Sequence, residues 1–290
     1  MIQCFVKRNF QSQFMENTTP RLLSASNIHL DYAHHTRILH KHDDIFELLF
    51  VRSGSGEYII ENQYYNLKKG DIVICNSGTL HDEVLKEDDT ICSYALAIDQ
   101  IHLEGLPENH LIPQDVSPII SAAEYFETFN VTLRSIFDLL VSNGKDVEET
   151  CHHLMMSVLS LTLKLIKEKA TVEKSTVTED STLGMRIRKY IDSHYMEDLS
   201  LQSIGDEFRI NFYYLSHLFK KEMGYSPMQY VLRRRIGEAQ TILITTNRSI
   251  TDIASSVGFN NPNNFNIQFT KYVGLSPRTY RRTYTQLESK

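Results

Sequence analysis

The pattern of apolar and polar positions changes character twice along the chain. Between residues 21 and 100, short runs rich in Ile, Val, Tyr and Phe alternate with turn residues, and no helical repeat interrupts them. Ile45 to Arg52, Gly56 to Glu61, Tyr64 to Leu67, Asp71 to Cys75 and Ile91 to Ile98 read as strands. A hairpin turn falls at Glu61 to Gln63 and a second turn at Lys68-Lys69-Gly70. Strands this close, with no helix between them, predict a barrel or sandwich.

From about Phe126 the period becomes helical. Leu133, Ile136, Phe137, Leu139 and Leu140 make one stripe, which Asn143-Gly144 should stop. A second helix is predicted from about Val147 to Lys169. Leu154, Val158, Leu161 and Leu165 run along it at spacings of 4, 3 and 4, a heptad-like seam expected to join two chains. The plainer alternative is a helix that covers the barrel. Residues 171–182 are polar and read as a linker.

The remainder is helical and internally duplicated, residues 200–233 against 249–282. Ser200-Leu201 corresponds to Ser249-Ile250, Gly205 to Ala254, Phe219 to Phe269, Gly224 to Gly274 and Ser226-Pro227 to Ser276-Pro277. Each copy reads as helix-turn-helix. The longer helix of the first copy should start near Asn211 and end at Gly224. In the second copy Asn261 is a natural cap with Pro262 behind it. Tyr213, Ser216, His217 and Lys220 share the polar face of the first helix; Asn263, Asn264, Ile267 and Lys271 share the outer face of the second. A connecting helix from Ser226 to about Thr246 spans roughly 30 Å. That is close to the roughly 34 Å between successive major grooves on one side of a duplex.

Charge supports a division of labour. The net charge is -6, but residues 1–180 hold 15 Lys+Arg against 27 Asp+Glu, a balance of -12, while residues 181–290 hold 15 against 9, a balance of +6. The C-terminal third alone suits a phosphate backbone. Hydrophobic residues at 41% and charged residues at 23% exclude a disordered or fibrous chain. The best apolar run, Phe46 to Val51, is far short of the roughly 18 residues a membrane span needs, and Met1 to Phe10 lacks the apolar stretch of a signal peptide. Four scattered cysteines without CxxC fit a reducing cytoplasm.

The segments LSLQSIGDEF, YLSHLFKKEMGYSPMQYVLRRRIGEAQTIL, SITDIASSVGFNNPNNF and TKYVGLSPRTYRR give residues 183–283 a strong resemblance to the DNA-binding domain of the AraC/XylS transcription regulators. The resemblance implies base contacts from Tyr213, Ser216 and His217 in the first motif, and from Asn263, Asn264 and Ile267 in the second. Asn suits adenine; Ile267, where the family often has Arg, can meet a thymine methyl but not a guanine. Lys220, Lys221, Arg233, Arg248, Lys271 and Arg278 are candidate phosphate contacts, each weighed against an ordinary solvated charge.

In the acidic part, His40-Lys-His42 is followed by four residues and Glu47, then six and Gly54; Gly70, Gly78 and His81 come later. On a strand His40 and His42 point the same way. The spacing resembles the two cupin motifs, with Asn76 in place of a proline. Three imidazoles and a carboxylate suit a divalent metal. The expectation is nevertheless no cofactor, with these four residues lining a pocket or bracing a turn and a divalent metal as the alternative.

The expected architecture is an α+β multidomain chain. A cupin-like sensory barrel (20–105) and a helical dimerisation segment (115–170) lead through the linker to an all-α seven-helix domain with two helix-turn-helix motifs (183–283). The expected function is a cytoplasmic, ligand-responsive, non-enzymatic regulator. It would bind a double-stranded DNA operator as a homodimer, answer a sugar or other small metabolite, contact RNA polymerase and avoid membranes. The rivals are a metal-dependent cupin enzyme tethered to DNA and a ligand-independent regulator with the barrel as scaffold.

Overall fold

The computed structural model describes residues 3, 5, 9, 11–15, 18–31, 39–61, 63–84, 90–170 and 182–285. Apart from Thr182, the expected linker lies outside them. Among the described residues, seven strands form one antiparallel sheet: β1 (Arg21–Asp31), β2 (Phe46–Ile60), β3 (Gln63–Lys68), β4 (Asp71–Cys75), β5 (His81–Val84), β6 (Thr90–Asp99) and β7 (Ile119–Ser121). The order is β1-β6-β2-β4-β7, with β3 and β5 also paired to β2.

β2 is the spine of this sheet, paired with β3, β4, β5 and β6. The runs predicted over Ile45 to Arg52 and Gly56 to Glu61 are not two strands but one 15-residue strand, Phe46–Ile60. Its first half lies between β4 and β6, its second between β3 and β5. The register against β6 shifts between Val51 and Ser53, and Gly54 follows at φ +84°. A Cβ at Gly54 would lie 1.8 Å from the Thr90 carbonyl oxygen, so only glycine allows this close crossing. The bulge also moves the inward face by one residue. Glu47, Leu49 and Val51 face the barrel interior before it, Tyr58 and Ile60 after it.

The opposite face of β2, Phe46, Leu48 and Phe50, packs under two helices, α1 (Phe126–Ser142) and α2 (Val147–Ala170). Asn143 ends α1 in the left-handed region at φ 48°. Phe129, Leu133 and Ile136 of α1 meet Met155 and Leu159 of α2 in the same core. The heptad-like seam is therefore largely spent inside its own chain. Val158 and Leu165 are buried in this core, and Leu154 and Leu161 are half-buried against it. The reason is the second apolar row beside the seam: one helix face broad enough to cover a sheet leaves little for a partner.

Seven helices follow among the described residues: α3 (Leu183–His194), α4 (Leu201–Phe208), α5 (Phe212–Met223), α6 (Pro227–Thr245), α7 (Ile250–Ser256), α8 (Pro262–Val273) and α9 (Pro277–Thr285). Their ends are written locally. Asn211 caps α5 through the Tyr213 N–H, and Asn261 caps α8 through those of Asn263 and Asn264. Gly224 and Gly274 close the same two helices at φ 76° and 77°. Ser226 and Gln229 form a reciprocal capping box at the start of α6. In both copies the turn folds back on the small residue: Ile210 N–H donates to the Gly205 carbonyl and Phe259 N–H to that of Ala254.

The barrel docks on the helical domain. Leu39 and Leu80, 1% and 3% exposed, belong to the helical-domain core rather than to their own. Arg233 of α6 pairs with Asp82 of β5, whose side chain is fully buried. Arg188 of α3 pairs with Glu61 at 2.6 Å. The fully buried Arg234 lies 3.2 Å from Asp192 and donates to the Leu39 carbonyl at 3.4 Å. Tyr64 lies against Gly224, where a Cβ would come within 2.3 Å of the phenol oxygen.

Candidate functional site

The two longer helices of the duplicated motif present their polar faces to solvent. Asn211 and Asn261 set where each helix begins, and the apolar face (Leu215 and Phe219; Phe265 and Phe269) anchors it in the domain core. What remains outward are Tyr213, His217, Lys220 and Lys221 on α5, and Asn263, Asn264, Ile267 and Lys271 on α8. Ser216 is half-buried between them. Tyr213 and Ile267 are 68% and 65% exposed. α6 joins the two motifs as one helix of 19 residues, about 28 Å long.

The candidate phosphate contacts divide. Arg248, Lys220, Lys221, Lys271 and Arg278 are exposed. Arg233 is not: it is paired with Asp82 and stacked over the Tyr225 ring at 4.7 Å. In this docked arrangement it is an interdomain contact and unavailable to a phosphate. The pairing joins residues 151 positions apart, so no local pattern announces it.

The second site lies at the end of the barrel interior. Residues 39–42 run beside the start of β5. His40 and His81 exchange backbone hydrogen bonds of 3.0 and 2.9 Å. Glu47 is the second residue of β2 and faces inward. This brings His40, His42, Glu47 and His81 together, with one ligand atom from each within 4.8 Å of all the others. Nε2 of His42 lies 3.4 Å from the Glu47 carboxylate, and Nε2 of His81 lies 3.7 Å from it. His81 Nδ1 donates to the Thr79 carbonyl at 2.9 Å, so in the neutral ring Nε2 carries the lone pair. That Nε2 is buried and has no hydrogen-bond partner.

The loop supporting this site explains the departure from the cupin motif. Asn76, in the proline's place, donates to the Ile112 carbonyl at 2.8 Å and accepts from Leu111 N–H at 2.9 Å. It ties the loop to residues 111–112 with bonds that a proline lacks. Gly78, at φ +77°, brings its N–H to the His42 carbonyl at 2.6 Å.

Burial disfavours charge on both Glu47 and His81. The adjacent imidazoles of His42 and His81 outweigh it for Glu47, whose carboxyl is held well below its ordinary range. Cys75 and Glu47 outweigh it for His81, which is raised well above 6.5. Cys75 on β4 stands in register with Glu47, and Tyr58 stacks on His81 at 6.2 Å. Neither was visible as part of the site in the sequence, because their facing depends on the β2 bulge and the β2–β4 register. Asp43 and Asp44, which follow His42 in sequence, line an open cavity of about 310 Å³ with Asp99 and Glu108 among others.

The donor set fits a divalent transition metal. Ligands of a tetrahedral ion lie roughly 3.4 Å apart, given metal–nitrogen bonds of about 2.0–2.1 Å. These four, now within 4.8 Å of one another, would close by up to about 1.4 Å. The imidazole oriented by a backbone carbonyl, with its other nitrogen bare, is the usual support of a metal-bound histidine.

Comparison with known proteins agrees with both halves. Residues 26–159 match the family described as AraC-like ligand binding domain, and residues 204–283 match a helix-turn-helix domain. The uncharacterized HTH-type transcriptional regulator YdiP of Escherichia coli K12 is 27% identical over 255 residues, 84% of this chain and 81% of its own. The HTH-type transcriptional activator RhaS of Enterobacter sp. strain 638 is 24% identical over 247 residues, 83% of this chain and 86% of its own. A structure of fatty-acid-bound ToxT from Vibrio cholerae strain SCE256 is 16% identical, covering 94% of this chain and 99% of that one at a TM-score of 0.48. Carrying a cupin-like, AraC-like ligand binding domain ahead of a helix-turn-helix domain, the chain belongs to the AraC-type transcriptional regulators.

Proposed function

We propose that this regulator reads operator DNA with α5 and α8 and takes its effector at the cluster of His40, His42, Glu47 and His81. We further propose that the effector is a divalent transition-metal cation. One observation carries this reading: the buried Nε2 of His81, without a hydrogen-bond partner, stands with three other metal-type donors, all four within 4.8 Å of one another. The sequence suggested a sugar or other metabolite. The interior behind the cluster is filled by Leu49, Val51, Tyr58, Ile60, Leu67 and Val73, which favours an ion over a bulky ligand. Bound there, the cation would supply charge and a cross-link among four side chains. The role is regulatory rather than enzymatic: the relatives of like length are regulators.

The proposed working form is a cytoplasmic homodimer, with RNA polymerase as the downstream partner. Leu154 and Leu161, one heptad apart on α2 and only half-covered, are the remaining surface for the second chain. No described helix is long and apolar enough to cross a membrane.

The test selects bound fragments from genomic DNA with the full chain, with Zn²⁺ and with chelator, alongside elemental analysis. Stoichiometric metal that vanishes in His42→Ala, together with a metal-dependent fragment set, supports the reading. A metal-free protein that selects the same fragments under both conditions removes it.

A further inference from the structure

We propose that cation binding at the histidine cluster and docking of the helical domain on the barrel favour each other, through one pair of backbone segments that serves both. The proposal rests on the reading of the cluster as a cation site. His40 and His81 face each other across two mutual hydrogen bonds and turn their rings, 4.2 Å apart, toward Glu47. Side chains alternate along extended backbone, so the neighbours of these histidines point the other way. Those neighbours are the docking residues. Leu39 and Leu80 are buried in the helical-domain core, Asp82 pairs with Arg233, and the Leu39 carbonyl accepts from Arg234.

Glu61 extends the same link. One of its carboxylate oxygens accepts from Leu80 N–H at 3.1 Å and the other meets Arg188 at 2.6 Å. Its own N–H donates to the Leu80 carbonyl at 2.7 Å. Leu80, the covalent neighbour of His81, is thus hydrogen-bonded through one carboxylate to an arginine of α3.

The direction of coupling follows from linkage. The docked arrangement already holds the four donor atoms within 4.8 Å. Undocking would expose Leu39 and Leu80 and strip the buried Asp82 of Arg233, loosening the segments that carry His40 and His81. A cation that binds the docked state more tightly shifts the population toward it, and docking strengthens cation binding by the same factor. Since Arg233 is committed to Asp82 while docked, the cation also withholds one basic side chain from DNA.

The experiment measures Zn²⁺ affinity by calorimetry for the full chain and for Arg233→Gln and Arg188→Gln, with the surface change Arg134→Gln as control. Removing a positive charge near a cation site would by itself tighten cation binding. Coupling predicts the opposite: both interface variants bind Zn²⁺ about fivefold or more weakly, as a coupling of ordinary size requires, and the control does not. Amide hydrogen exchange of the wild-type chain provides a readout that needs no variant. Zn²⁺ should raise protection in α3 and α6, which hold none of the four donors. Unchanged or tighter affinity in the variants, or unchanged protection in α3 and α6, overturns the coupling while leaving the cation site standing. A wild-type chain that binds no Zn²⁺ overturns the site itself.

Discussion

Arg233 of α6 reaches across the domain boundary to Asp82 of β5, whose carboxylate has no access to solvent. An arginine that sequence resemblance marks for DNA is here the partner of an acid in the sensory domain. The pair makes the placement of the DNA-binding domain a property of the barrel.

A buried ion pair contributes modestly as a pair, but losing one member strands the other. Asp82→Ala leaves Arg233 largely buried opposite an apolar side chain. It should cost about 3 kcal/mol in urea unfolding. The double variant Asp82→Ala/Arg233→Ala should recover part of the loss. Losses that simply add in the double variant would mean that the two side chains do not meet in solution.

Tyr64 and Gly224 test docking without charge. Gly224→Ala strains a left-handed cap, at about 1 kcal/mol, and also pushes a Cβ into the Tyr64 phenol. In a Tyr64→Ala background the clash is gone and only the cap strain remains. The penalty of Gly224→Ala should therefore be smaller there, as read from paired unfolding midpoints.

On DNA, His217→Ala and Ser216→Ala should change base preference, whereas Lys221→Ala should weaken all sequences alike. Loss of one phosphate contact flattens the salt dependence by about one unit. Equal losses on every sequence from all three would contradict the assignment.

Ile267 offers a gain-of-function test. It stands 65% exposed on the outer face of α8. Ile267→Arg supplies the fork that reads guanine, so it should add discrimination of about 1–3 kcal/mol in favour of guanine at one operator position. Selection of sites from a random duplex library would reveal that position. An unchanged consensus would place Ile267 outside the groove.

Features determined within a few residues were readable from the chain. Asn211 with Gly224 and Asn261 with Gly274 bound their helices because a cap is a bond over two or three positions and a left-handed end favours glycine or asparagine. Asn143 stopped α1 for the same reason. His40, His42, Glu47 and His81 could be grouped because their spacing is that of a known motif, although nothing in it placed Cys75 or Tyr58 beside them.

Tertiary structure decided whatever depends on register or on partners far away in sequence. The bulge in β2 merged two expected strands and reversed which residues face inward, a choice settled by the crossing of Gly54 over Thr90. The seam of α2 was claimed by the sheet of its own chain, because two apolar rows side by side cover more surface than a dimer contact leaves free. Arg233 found Asp82 rather than a phosphate, and Glu61 found Arg188, 127 residues on. Hydrogen bonds that close within one turn are encoded where they form, whereas burial and charge pairing are set by whichever surfaces the completed fold brings into contact.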